Sequence, residues 1–188
     1  MITIVSGLPR SGTSLMMQML AAGGMSVLSD GERKADPDNP KGYLEWERIK
    51  QLPKEPSLIA EAEGKVVKVI SQLVLSLPEG HEYRIIFMER PMAEVMKSQD
   101  EMVRRRGMPE TSVNRAALER AFRRHLIEVS QWLAAKANMK VLRIDYHRVL
   151  REPQIVAEEV KAFLGVPLDV KAMVGQVDGS LYRNRVGS

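Results

Sequence analysis

The sequence predicts an α/β fold in three layers, with a central parallel sheet flanked by helices. Short β-branched segments alternate along the 188-residue chain with longer segments whose apolar residues recur every three or four positions. Strands that alternate with helices in this way form parallel sheets covered on both faces. No internal repeat, low-complexity segment or linker divides the sequence, so residues 1–188 are expected to form one domain.

The first two elements are predicted to be a strand and a helix joined by a glycine loop. Ile2–Val5 is a β-branched run that ends at Ser6-Gly7, and Thr13–Ala22 has helical spacing closed by Gly23-Gly24. Further strands are predicted at Lys65–Ile70, Arg84–Met88 and Lys140–Ile144. Further helices are predicted at Ser71–Leu77 (a short turn), Ala93–Arg106, Ser112–Ala137 and Pro153–Leu164. The polar segment Ser29–Gly42 is rich in turn residues and is predicted to be a loop at the rim of a binding site.

Composition excludes several classes of function. The sequence is 44% hydrophobic and 28% charged with a net charge of +4, which is ordinary for a globular protein. It contains no cysteine, which excludes disulfides, thiol catalysis and cysteine-ligated zinc and fits a reducing cytoplasm. No stretch approaches the roughly 20 apolar residues of a membrane span. We therefore expect a soluble cytoplasmic protein; the scattered charges and the two tryptophans do not favour nucleic-acid binding.

The segment GLPRSGTS has the outline of a phosphate-binding loop between the first strand and the first helix. The lysine that usually follows the second glycine is missing, and Thr13 stands in its place. Successive backbone N–H groups and the positive end of the helix dipole can converge on an anion here, with Arg10 as the nearby cation. The structural alternative is an ordinary glycine turn. The candidate anion-binding residues are Gly7, Leu8, Pro9, Arg10, Ser11, Gly12, Thr13 and Ser14.

A second candidate site follows the third predicted strand, in the segment ERPMAEVMKS. Arg90 would emerge at the ligand-bearing edge of the sheet, and Ser98 would lie on the next helix, so a fork of donors and a hydroxyl could hold a phosphate monoester. The structural alternative is a helix that begins with Pro91 and carries an arginine in a surface salt bridge.

Together the two segments resemble the sulfotransferases that use 3′-phosphoadenosine 5′-phosphosulfate (PAPS), which are relatives of the P-loop proteins. GLPRSGTSL resembles their 5′-phosphosulfate loop, and Arg90, Glu94 and Ser98 stand at the offsets of their 3′-phosphate motif, although Pro91 follows the arginine directly. More weakly, Asp38–Glu45 (DNPKGYLE) is similar to a segment of bacterial members. Ser180–Arg185 occupies the position of the family's basic C-terminal loop, which implies cofactor contacts for Arg183 and Arg185.

The resemblance implies a P-loop-type fold and transfer of a sulfuryl group from PAPS to a hydroxyl or amine, leaving adenosine 3′,5′-bisphosphate (PAP), without a metal. Arg10 would stabilise charge on the leaving phosphate, and Lys68 could add a second cation unless it is a solvated strand-end lysine. Many members carry a catalytic histidine where this chain has Lys68-Val69-Ile70-Ser71, so Glu45 is the preferred general base. The three histidines are interpreted as structural or solvated, namely His81, His125 and His147.

Two other functions stay open at this point. A nucleoside-triphosphate-dependent kinase or triphosphatase would need a carboxylate for magnesium, and Asp145 is the one contender. A non-catalytic nucleotide-binding module would keep the phosphate loop without a base. The acceptor pocket is expected between the loop Ser29–Gly42 and the helices near residues 92–108.

Overall fold

The computed structural model describes residues 1–32, 42–105 and 115–177. Within them a single parallel sheet has the strand order β2-β1-β3-β4. The strands are β1 Ile2–Gly7, β2 Val66–Lys68, β3 Tyr83–Glu89 and β4 Met139–Asp145. Because all of them run the same way, the loop after β1 lies at the same edge of the sheet as the ends of β2 and β3. The predicted α/β class and parallel sheet are confirmed.

Helices cover both faces of the sheet. Core residues of α1, α5, α6 and α7 pack against one face, and those of α2, α4 and two 3₁₀ helices pack against the other. The helices are α1 Thr13–Ala22, α2 Ser71–Val74, α3 Met92–Arg105, α4 Arg115–Ala134, α5 Tyr146–Arg151, α6 Pro153–Leu164 and α7 Val170–Val174; the 3₁₀ helices are Glu47–Gln51 and Pro56–Ala62. None of the helices described is long and apolar enough to cross a bilayer.

Strand β1 lies at the centre of this packing and has no exposed residue. Ile4 belongs to the apolar cluster on one face, and Val5 belongs to the cluster on the other. Side chains of successive strand residues point to opposite faces, so a strand covered on both sides must be apolar throughout. Full burial of one such side chain stabilises the fold by about 1.5–3 kcal/mol. Packing on both faces therefore holds the loop that follows β1 firmly in place.

The structure differs from the sequence prediction mainly at short elements. Strand β2 ends at Lys68 rather than at Ile70, because the chain turns there to begin α2. Helix α4 ends at Ala134, three residues before the predicted end. The helices α5 and α7 and both 3₁₀ helices were not predicted, since segments of five to seven residues are too short to display a clear helical period. His147 consequently lies in α5, not in an irregular connection.

Candidate active site

The loop after β1 can be built only with its two glycines. A Cβ on Gly7 would lie 2.4 Å from the hydroxyl oxygen of Ser11 and 2.7 Å from the carbonyl oxygen of Met88. A Cβ on Gly12, where φ is 100°, would lie 2.4 Å from the ring of Tyr146. The Ser11 hydroxyl is buried and has no hydrogen-bond partner among the described residues. A tight, glycine-dependent loop with an unsatisfied buried hydroxyl at the start of α1 fits an anion-binding role.

Arg10 lies in this loop in a left-handed backbone conformation, with φ at 71°. A non-glycine residue held there costs on the order of 1–3 kcal/mol, so surrounding contacts must maintain it. Two contacts do so. The Arg90 Nη1 group donates to the Arg10 carbonyl oxygen at 3.1 Å, and the Arg10 Nε group donates to the Ser98 hydroxyl at 2.9 Å. The structure thus joins the loop after β1 to both polar residues of the second motif.

We call the group formed by Arg10, Arg90, Glu94, Ser98 and His147 the β3 clasp. Within it, Arg90 Nε donates to Glu94 Oε2 at 2.9 Å, and the two side chains are only 7% and 4% exposed. The alternative of a surface salt bridge is therefore wrong. Burial of the pair matters, because breaking a buried ion pair by removing one partner costs about 3–5 kcal/mol. The carboxylate orients the guanidinium at the edge of the sheet.

Sequence analysis missed two residues at this site, namely His147, which belongs to the clasp, and Tyr146, which packs beside it. The Arg90 guanidinium lies 4.6 Å from the centroid of the Tyr146 ring, which packs against Gly12. Burial raises the pKa of Tyr146 in spite of the opposing effect of the Arg90 guanidinium, so the phenol stays protonated at neutral pH. His147 Nε2 lies 3.0 Å from Glu94 Oε2. Both residues follow β4 directly, and that position at the ligand-bearing edge of the sheet was an available signal.

The β2 cluster, which consists of Ser14, Tyr43, Glu45 and Lys68, lies at the end of β2. Lys68 Nζ donates to the Ser14 hydroxyl at 2.9 Å, to the Tyr43 carbonyl at 3.0 Å and to Glu45 Oε1 at 2.9 Å. The Lys68 side chain is 4% exposed and that of Glu45 is 20% exposed. The alternative of a solvated lysine is therefore wrong. The lysine links α1, β2 and the segment that carries Glu45.

The segment before Glu45 is held in place by α1. Gln18 Nε2 donates to the Gly42 carbonyl oxygen at 2.8 Å, and Leu44 adopts a left-handed backbone conformation with φ at 49°. Gln18 of α1 thus holds the chain at Gly42, two residues before Leu44. The reach of Glu45 to the mouth of the site stays a prediction.

Other candidate residues lie apart from these two groups or outside the described ranges. Asp145 accepts from the backbone N–H of Arg148 at 2.9 Å, which caps α5. In the described ranges, no cluster of His, Asp and Glu side chains could hold a metal ion. The Nε2 atom of His125 lies 3.0 Å from the hydroxyl oxygen of Ser71. Arg183, Arg185 and residues 38–41 lie outside the described residues.

A cavity of about 400 Å³ opens next to the clasp, between the end of β3 and helices α3 and α4. Apolar atoms form most of its wall, and the Arg143–Glu89 ion pair also lines it. Arg90 and Ser11 also line it. Val95 of α3 lines this cavity, whereas Lys68 and Ser14 do not, and the position of the acceptor pocket stays a prediction.

The sulfotransferase domain family matches this chain over residues 2–184, so the chain belongs to that family. Solved structures share the fold. One is the sulfotransferase domain from the curacin biosynthetic pathway, with a TM-score of 0.53 and 16% identity over 96% of this chain and 78% of that one. Another is the sulfotransferase from Alicyclobacillus acidocaldarius, with a TM-score of 0.53 and 15% identity over 97% of this chain and 96% of that one.

A third similar structure is a mouse sulfotransferase complexed with PAP, with a TM-score of 0.53 and 16% identity. The alignment covers 98% of this chain and 66% of the mouse chain, so this chain spans about two thirds of that protein's length. A search of curated protein sequences finds no significant match.

Proposed function

We propose that this protein transfers a sulfuryl group from PAPS to a hydroxyl or amine acceptor and releases PAP. One observation carries the proposal. The loop after β1 and the second motif form one hydrogen-bonded unit, through Arg90 to the Arg10 carbonyl and Arg10 to Ser98. A nucleotide with phosphates on both the 5′ and 3′ positions needs two anion sites at a fixed separation, and a rigid unit of this kind would supply them.

In this proposal the loop from Gly7 to Ser14 holds the 5′ end of the nucleotide. Backbone N–H groups and the first turn of α1 would donate to the phosphate, and Gly7 and Gly12 allow the close approach. Arg90 and Ser98 would bind the 3′-phosphate, with Glu94 orienting Arg90. Arg183 and Arg185 are proposed to add cations to the 3′-phosphate. The mouse relative, which is complexed with PAP, supports the choice of nucleotide.

The catalytic roles are assigned to Arg10, Lys68 and Glu45. The donor supplies an activated sulfuryl group and a leaving phosphate on which negative charge develops. Arg10 would stabilise that charge, since a preorganised donor at a developing anion is typically worth about 10²- to 10³-fold in rate. Lys68 lies against Ser14 of the loop and against Glu45, so it would hold the carboxylate at the mouth of the site. Glu45 would then accept the proton of the acceptor nucleophile.

Calorimetric titration with PAP and with magnesium-ATP tests this function. We expect PAP to bind in EDTA with micromolar affinity, and Arg90→Ala to weaken binding on the order of 100-fold, since it removes charged hydrogen bonds. Arg143→Ala, at the neighbouring strand end, is the matched control and should bind as the wild type does. Preference for magnesium-ATP would establish the kinase or triphosphatase instead.

Sulfate transfer from PAPS is the second part of the test. Tight PAP binding with no transfer to a broad panel of alcohols, phenols and amines would establish the non-catalytic module instead of the enzyme. We also propose that the chain forms a single domain and that the protein is cytoplasmic. The absence of cysteine supports a reducing compartment such as the cytoplasm.

A further inference from the structure

One group of the β3 clasp has no role in the function proposed above. His147 Nε2 and Arg90 Nε both contact the same carboxylate oxygen, Glu94 Oε2, at 3.0 Å and 2.9 Å. The Glu94 side chain is 4% exposed, whereas that of His147 is 25% exposed. The buried Glu94 carboxylate thus contacts both Arg90, which is always charged, and His147, which can gain or lose a proton. Of these two, His147 is the more exposed to solvent.

The geometry restricts the state of the imidazole. A bare ring nitrogen 3.0 Å from a carboxylate oxygen would set two lone pairs against each other, so Nε2 must carry a hydrogen and donate it. The ring is then either neutral, with Nδ1 unprotonated, or an imidazolium. Together with Arg90 and Glu94, the neutral ring gives the trio a formal charge of zero, and the imidazolium gives it +1.

The net charge around this trio depends on whether an anion is bound. Two guanidinium groups lie here among the described residues: that of Arg90, which directly follows β3 and belongs to the trio, and that of Arg10, which donates to Ser98. Tyr146, on the same helix as His147, is neutral because burial raises its pKa. Two guanidinium groups against one carboxylate leave the clasp positive, which opposes a further positive charge. A phosphate monoester bound to Arg90 would add negative charge and reverse that balance.

We propose that His147 is a positioning residue of the nucleotide site, and that it takes up a proton when the 3′-phosphate binds. The inference rests on the proposed function, because the phosphate is the one assigned to Arg90 and Ser98. Protonation strengthens the contact of His147 with Glu94, and the trio then presents a net positive charge to the phosphate. Since this step takes up a proton, the contribution of His147 to PAP affinity grows as the pH falls from 8 towards 6.

The experiment is calorimetry of PAP binding at pH 7 in buffers with different ionisation enthalpies, which yields the number of protons taken up. His147→Gln keeps an N–H that can donate to Glu94 but cannot become charged. We expect this variant to take up fewer protons than the wild type, by up to about one, since a histidine ordinarily titrates between pH 5 and 8. The nucleotide's own phosphate contributes equally to both proteins. His125→Gln is the matched control and should take up as many protons as the wild type.

A second measurement needs no variant. The sequence contains three histidines, so the imidazole C–H resonances of the wild type can be followed in a ¹H–¹³C spectrum at pH 7. Addition of PAP should move one histidine to the chemical shift of the imidazolium and leave the other two unchanged. Equal proton uptake by the wild type and His147→Gln, or no such movement, would overturn the role of His147 while PAP binding itself stands. Absence of PAP binding at every pH would instead overturn the proposed function.

Discussion

The β3 clasp and the β2 cluster each contain a buried cation paired with a carboxylate, but the pairs are assembled differently. In the clasp, Arg90 directly follows β3, and Glu94, four residues later, lies in the first turn of α3. In the cluster, Lys68 and Glu45 are 23 residues apart and come from a strand end and a preceding segment. The first pair joins residues that are close together in the sequence, whereas the second depends on how the chain returns to the sheet.

The two cations also differ in chemistry. A guanidinium carries five N–H donors in a planar fork, and an ammonium carries three. Lys68 donates to three protein acceptors, which are the Ser14 hydroxyl, the Tyr43 carbonyl and the Glu45 carboxylate. Arg90 donates to Glu94 and to the Arg10 carbonyl, and its planar guanidinium lies over the Tyr146 ring. The clasp is therefore suited to holding a phosphate, and the cluster to fixing a reacting carboxylate and the loop beside it.

The largest effect is expected from Glu45→Gln in the β2 cluster. Glutamine has the same shape and can still accept from Lys68, but it cannot take a proton from the acceptor. We expect the turnover number to fall by about 100-fold or more, as for loss of a general base, while calorimetry shows PAP affinity unchanged.

Glu47→Gln is the matched control, since Glu47 is two residues away and pairs with Lys50 on the surface. It should turn over as the wild type does. Wild-type turnover in Glu45→Gln would mean that another group takes the proton, and the β2 cluster would then serve only to hold the loop.

A smaller effect is expected from Arg90→Lys in the clasp. Lysine keeps the charge but loses the planar fork and the contact with Tyr146, so PAP affinity should fall by roughly 10- to 100-fold, the loss of one or two charged hydrogen bonds. Calorimetry would measure it, with Arg143→Lys as the control. If Arg90→Lys binds PAP as the wild type does, charge alone holds the phosphate, and the chemical contrast between the two regions disappears.

The smallest effect is expected from Tyr146→Phe, which keeps the ring against Gly12 and Arg90. At neutral pH we expect it to change the free energy of unfolding little. Because burial raises the pKa of Tyr146, the unfolded chain loses the phenolic proton at lower pH than the folded protein. The phenol's contribution to stability is therefore complete below about pH 10 and is lost as the pH rises through the raised pKa.

Urea unfolding from pH 8 to 11.5 would measure this difference. Tyr146→Phe should become progressively more stable relative to the wild type above pH 10, and Tyr83, whose pKa burial raises to about 12, contributes equally to both proteins. A constant difference in the free energy of unfolding across this range would show that the phenol is not buried in the clasp.

Much of this molecule follows from local sequence. The alternation of strands and helices determined the α/β class, and the bounds of α1 and α6 were predicted residue for residue. Gly7 and Gly12 marked the loop, because a close approach of neighbouring atoms leaves no room for a Cβ at either position. The offset between Glu94 and Ser98 is also local, since residues four apart lie on one face of α3, and Arg90 lies just before that helix.

Contacts between distant segments were decided only by the tertiary structure. Arg10 meets Ser98, His147 meets Glu94 and Lys68 meets Glu45 because the strand order is β2-β1-β3-β4 and all strands end at one edge. Hydrophobic periodicity indicates which face of an element is buried, but it does not state which strand lies beside which. The sequence by itself determined the elements and the loop chemistry; the burial of Lys68 and the sharing of Glu94 arise from strand order and packing between segments.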